Sequence, residues 1–182
     1  EQRHVPNHPK ANTLDLSKLL AKAPNEKSPL HHIRERNDRI ESPLDDVILQ
    51  DAKDALADKR PVKLSYKIKN THRCIGTKLS GEIAYRYGDN GLPPGTVDLH
   101  LTGSAGQSFG TFLCNGVRLH LTGEANEYVG KGMAGGEIVI VPPRSAQFDP
   151  SKNAILGNTV LYGATGGTLH AAGMAGERFC VR

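Results

Sequence analysis

Three groups of residues in this 182-residue chain have types and spacings that could do chemistry. Gly130-Lys131-Gly132-Met133-Ala134-Gly135 matches G-x-G-x-x-G, the spacing of a loop that sets a dinucleotide pyrophosphate against a helix N-terminus. Gly106-Gln107-Ser108-Phe109-Gly110 matches G-x-S-x-G, the spacing of a nucleophile elbow. His100, His120 and His170 each stand three residues before a glycine (Gly103, Gly123, Gly173), which could align imidazoles on one outer face. His31-His32, beside Arg34 and Arg36 in a polar stretch, reads as solvated.

Each chemistry also needs elements to position it, and here those elements are missing. A pyrophosphate loop must open a helix, yet the aliphatic strand pattern Ile138 to Val141 follows at once. A nucleophile elbow needs a helix behind it, and none is signalled after Gly110. A metal site usually adds carboxylate or thiolate ligands with a second shell, and the histidine spacing implies none. The expected sets of catalytic, cofactor-binding and metal-ligating residues are therefore empty. The glycines Gly103, Gly110, Gly116, Gly123, Gly130, Gly136, Gly157, Gly163 and Gly173 are expected to be structural corners.

A repeat explains those glycines better. Val97–Gly116 and Val117–Gly136 align without gaps, and 9 of 20 positions are identical. A third copy opens at Glu137, is interrupted by Pro142 to Asn153, and resumes through Leu156 to Gly167. A fourth opens at Thr168. A period near 20 residues is too short for a strand–helix–strand unit, which needs ~30 or more. It suits a solenoid of short strands and corners. The expectation is a right-handed parallel β-helix, with Val97, Leu99 and Leu101 stacked under Val117, Leu119 and Leu121. Asn126 stands where the first copy has Gly106, and that exchange suggests a left-handed corner there.

Composition agrees with a mainly β domain lacking large aromatic slabs: hydrophobic residues are 37%, aromatics 5%, and Trp is absent. All twenty glycines lie between Gly76 and Gly176. Residues 1–41 are polar with scattered prolines, a linker composition, apart from a short helical pattern at Leu14 to Leu20. Residues 42–61 predict one helix: Ser42 as N-cap, Pro43 first, Leu44, Val47, Ile48, Ala52, Ala55 and Leu56 as the apolar stripe, Pro61 as the stop. Residues 62–182 then form the solenoid, expected to stop within a coil. It begins with the alternation Val62, Leu64, Tyr66 and Ile68. The net charge of +4 is far from a nucleic-acid footprint. No apolar run is long enough to span a bilayer. Three widely spaced cysteines, Cys74, Cys114 and Cys180, suggest free thiols in a reducing compartment.

Several runs resemble a known family. Leu101 to Gly110, Glu124 to Gly136, Gly157 to Gly167 and Ala175 to Phe179 look like the GXGXG domain of the glutamate synthase large-subunit family. Thr71 to Gly88 is similar to the stretch that enters that domain. The resemblance implies a β-helix scaffold in a parent oxidoreductase that makes two L-glutamates from L-glutamine, 2-oxoglutarate and reductant. It implies an amidotransferase domain and a flavin barrel elsewhere in the same parent chain. It implies FMN and a 3Fe-4S cluster for the parent, with no cofactor held by this fragment. It also implies a small reductase subunit or ferredoxin as partner, and a cytoplasmic location, or a plastid one in a photosynthetic eukaryote. A similar fold type serves the β-helix subunit of formylmethanofuran dehydrogenase, which this chain also resembles. Two other readings remain at this point: an enzyme built on Ser108 or the histidines, and an independent β-helix module that binds a protein partner.

Overall fold

The computed structural model describes residues 7–22, 29, 31–33 and 44–182. The chain divides into two compact units, residues 1–39 and 40–182. In the first, helix α1 spans Pro9–Asn12, with Pro at its first position and the His8 ring nitrogen accepting from the Ala11 N–H at 3.1 Å. The helix expected at Leu14 to Leu20 is instead a single turn, closed by the Leu20 N–H on the Leu16 carbonyl. Leu14, Leu19 and Leu20 are largely exposed, and so short a helix is marginal when its apolar face stays wet.

In the second unit the apolar stripe forms two helices, α2 (Leu44–Asp51) and α3 (Lys53–Asp58), separated at Ala52. The proposed Ser42–Pro43 cap lies outside the described residues. Hydrogen bonds from Ala52 to Ile48 and from Leu56 to Ala52 carry the stripe across the break, so Ile48, Ala52, Ala55 and Leu56 are all buried. Lys59, at φ +56°, ends α3 in the left-handed region. Strand β1 (Val62–Ile68) then shows the expected alternation, with its lysines exposed. Helix α4 (Thr77–Tyr87) is not among the elements expected from the sequence. What starts the helix is remote in sequence: the buried Asp45 carboxylate accepts from the Gly76 and Lys78 N–H groups, both at 2.6 Å.

The remaining strands are β2 (Val97–Ala105), β3 (Val117–Ala125), β4 (Ala134–Val141), β5 (Ala154–Leu156), β6 (Gly166–Ala171) and β7 (Met174–Ala175). They form a seven-stranded parallel sheet in the order β1-β2-β3-β4-β6, with β5 pairing β3 and β7. The sheet does not close on itself. Its register follows the repeat, so Leu64, Leu99, Leu119, Ile138 and Leu169 form one inward column. The interruption at 142–153 divides the third repeat into β4 and β5. Gly123 shows how closely the layers approach: a Cβ there would lie 1.8 Å from the Gly103 carbonyl oxygen.

Between strands, each layer turns through a bend in which alternate residues have positive φ. The sets are Ser108, Gly110 and Phe112; Tyr128, Gly130 and Gly132; Thr159, Leu161 and Gly163; and Arg178, Cys180 and Arg182. Their N–H groups alternate in direction. Tyr128 and Gly132 donate forward to the Asn158 and Tyr162 carbonyls, while Gly130 donates back to Phe109. The alternation turns successive donors toward opposite neighbouring layers, so the bends staple each layer to both sides.

The proposed left-handed corner at Gly106 and Asn126 is overturned, because neither residue has positive φ. Gly106 is required by space instead, since a Cβ would lie 2.4 Å from the Asn70 carbonyl oxygen. Gly157 and Gly173 also lack positive φ, whereas Gly103, Gly110, Gly116, Gly123, Gly130, Gly136 and Gly163 have it. Gly103 and Gly123 lie inside β2 and β3.

Candidate functional site

The glycine-rich Gly130–Gly135 run supplies the second bend and the start of β4, and no helix follows it. Its Gly132 lies against the Phe112 ring, where a Cβ would come within 2.5 Å of a ring carbon. Ser108 has the strained backbone a nucleophile elbow would show, at φ +65°. That strain belongs to the bend, because Tyr128, Thr159 and Arg178 share it at equivalent positions. The Ser108 N–H donates to the Glu127 carbonyl at 2.8 Å. Among the described residues no histidine bonds the Ser108 hydroxyl.

The histidine column forms only in part. The His100 and His120 rings stack with centroids 5.3 Å apart and planes 20° from parallel. The Asp98 carboxylate meets the His100 ring nitrogen at 3.1 Å. Val139 takes the next position, and His170 lies beyond it. The expected three-histidine ladder is therefore a stacked pair and one separate exposed ring. Among the described residues no three His, Cys, Asp or Glu side chains are grouped to hold a metal ion.

Beside the histidines runs a column of alternating charge, Lys63, Asp98, Arg118 and Glu137. Arg118 pairs with Glu137 at 2.8 Å. A second polar column climbs the bends. The Gln107 amide donates to Glu127 at 3.1 Å, the Asn158 amide donates to Glu127 at 3.3 Å, and the Glu177 N–H donates to Asn158 at 2.8 Å. Sequence reasoning missed this column, although Gln107 and Glu127 share a repeat position. The sequence marks Asp45 only as a first-turn carboxylate of its own helix, not as the acceptor for Gly76 and Lys78; burial pushes its carboxyl up while those two N–H bonds oppose the rise. Burial likewise pushes the Cys114 thiol up, while Cys74 and Cys180 are exposed free thiols.

These features define a mainly parallel β protein whose strands are joined by glycine-rich bends. Residues 45–182 match the family described as GXGXG motif, and the chain belongs to that family. It is 45% identical over 170 residues to the "Glutamate synthase [NADPH] large chain" of Azospirillum brasilense, covering 93% of this chain and 11% of that protein. It is 56% identical over 141 residues to "Ferredoxin-dependent glutamate synthase 2" of Synechocystis, covering 76% and 9%. It is 48% identical over 172 residues to "Ferredoxin-dependent glutamate synthase 2, chloroplastic" of Arabidopsis thaliana, covering 93% and 10%. The chain thus spans about a tenth of the length of the curated relatives it matches.

Proposed function

We propose that this chain is a non-catalytic scaffold region of a glutamate synthase large chain, folded as a right-handed parallel β-helix. The observation that carries the reading is the 45–56% identity to such chains across the layers and their bends. The structure is consistent with it, because the motifs that suggested chemistry are used as bends and packing surfaces. In this reading the parent converts L-glutamine, 2-oxoglutarate and reductant to two L-glutamates. FMN and the 3Fe-4S cluster belong to its other domains, and the amidotransferase domain and flavin barrel are this region's neighbours. The reductant is delivered by ferredoxin or by a nicotinamide-linked small subunit, since relatives carry both kinds of name. The location is cytoplasmic, or plastid in a photosynthetic host, as one relative's name states for itself. In described residues no helix is long and apolar enough to cross a membrane.

The test is made in a full-length enzyme. Replacing His100 and His120 together by Ala should leave turnover per folded enzyme and flavin content unchanged. A fall in turnover with folded content constant would overturn the scaffold reading.

A further inference from the structure

The interruption at 142–153 shapes the outer face. The segment leaves β4, and a groove of about 300 Å³ is lined both by its residues and by residues near the ends of β2 and β3. Gly103 and Gly123 line it without side chains, and Pro142, Pro143, Phe148 and the buried Ile155 supply its apolar lining. Phe148 is 43% exposed although it lines the groove. The exposed Glu124 is also among its lining residues. Its carboxylate accepts one hydrogen bond, from the Ser104 hydroxyl at 3.0 Å, and no ion pair reaches it among the described residues.

A mainly apolar groove with one carboxylate lacking a cation among its lining residues has a specific complement. A side chain that fills it needs a long apolar stem and a cationic head. Lysine and arginine both have these, but arginine fits better. Its guanidinium is planar and weakly hydrated, stacks on an aromatic face, and bonds a carboxylate through two N–H groups. The volume sits at the lower end of the ~300–1,000 Å³ typical of small-molecule pockets, so one side chain suits it better than a whole cofactor. We propose that this groove is a docking site for an arginine side chain presented by a neighbouring protein surface. The guanidinium pairs with Glu124, and the stem lies against Pro142, Pro143 and Phe148. The inference goes beyond the scaffold reading and does not depend on the identity of the parent.

The experiment titrates the 182-residue chain with N-acetyl-arginine amide, followed by NMR of the Thr102, Gly103, Thr122 and Gly123 amides. N-acetyl-citrulline amide, the uncharged isostere, is the control. A single side chain should bind saturably, with a dissociation constant on the order of millimolar. Arginine should bind about tenfold tighter than citrulline. Glu124→Gln should abolish that tenfold preference, and Phe148→Ala should weaken both ligands. Equal binding of the two ligands, or shifts that never saturate, would overturn the proposal. So would binding that appears only in Arg144→Gln, because the slot would then be filled by the chain's own arginine.

Discussion

The two ends of the layered stack differ, and one column of side chains measures the difference. Phe109, Val129, Val160 and Phe179 occupy equivalent positions in successive bends. The first three are 0% exposed and Phe179 is 52% exposed. At the β1 end, helices α2 to α4 join the same buried cluster as the strands, and Tyr66 of β1 bonds Asp51 of α2 at 2.7 Å. At the other end β6 has one sheet neighbour, β4, and nearly all its residues are exposed. The chemistry of the residues hardly changes along the stack. What changes is whether another layer covers them, so stability in this architecture belongs to the neighbour as much as to the residue.

The most direct way to break that comparison is to make the same change at both ends. Phe109→Ala should cost about 3–5 kcal/mol, the range for emptying a fully buried aromatic site. Phe179→Ala should cost under about 1 kcal/mol, because half of the side chain is already in water. Chemical denaturation of both variants measures this. Similar losses would show that the last layer is covered after all.

Asp45 tests what holds the covered end. Asp45→Ala leaves the Gly76 and Lys78 N–H groups without their acceptor and should cost about 2–4 kcal/mol. The carboxyl also carries a pH signature. Burial raises its folded pKa above the ordinary 3.8, so the folded state holds this proton more tightly than the unfolded state. Stability from this group is therefore full below 3.8 and declines as pH rises through the raised folded value. Relative to Asp45→Asn, which cannot titrate, the native protein should lose stability over that acidic window. A difference that stays flat with pH would reject this account of Asp45.

The bends probe the middle of the stack, where both neighbours are present. Gly130→Val should be destabilising by at least about 1–3 kcal/mol from backbone strain. The added Cβ would also lie 2.7 Å from a Leu161 methyl. Lys131→Ala should change little, because its ammonium touches only the face of the half-exposed Tyr128 ring, 5.3 Å away. Equal melting temperatures would remove the bend from the account of stability.

Much of this was legible in the sequence, and the gaps have physical causes. The strand register could be read because identical residues stack upon each other, as Leu99 on Leu119 and His100 on His120. Left-handed positions held by glycine could largely be read, but those of Ser108, Tyr128, Thr159 and Leu161 could not, because such side chains normally avoid that region. Layer-to-layer hydrogen bonds hold those residues there, and a local pattern does not record such bonds. The histidine column failed at Val139, where the third repeat departs from the first two. Helix α4 was hidden because its start depends on Asp45, more than thirty residues earlier. The groove was hidden for a similar reason. A run of Pro142 to Asn153 looks like any loop until the strand residues that line the groove with it are known.

The smallest expected effect concerns the open edge itself. The outer side of β6 offers backbone N–H and C=O groups, with Gly166, Gly167, Thr168, Leu169, His170 and Ala171 as its residues. Apart from His170 none of these can carry a charge, and natural edges use charge to deter pairing. A preparation of these 182 residues should therefore self-associate weakly through β6 at high concentration. Exchange of the 166–171 amides should be faster than that of 97–105 and 117–125, because those strands are bonded on both sides. His170→Lys adds a fixed charge to an exposed position without touching the buried cluster. It should reduce association several-fold while leaving the melting temperature of the monomer within about a degree, as expected for a surface change. Light scattering and exchange on the same samples separate the outcomes. A monomer at high concentration, with β6 protected as well as β2 and β3, would mean that the edge is already paired and that the two ends are alike.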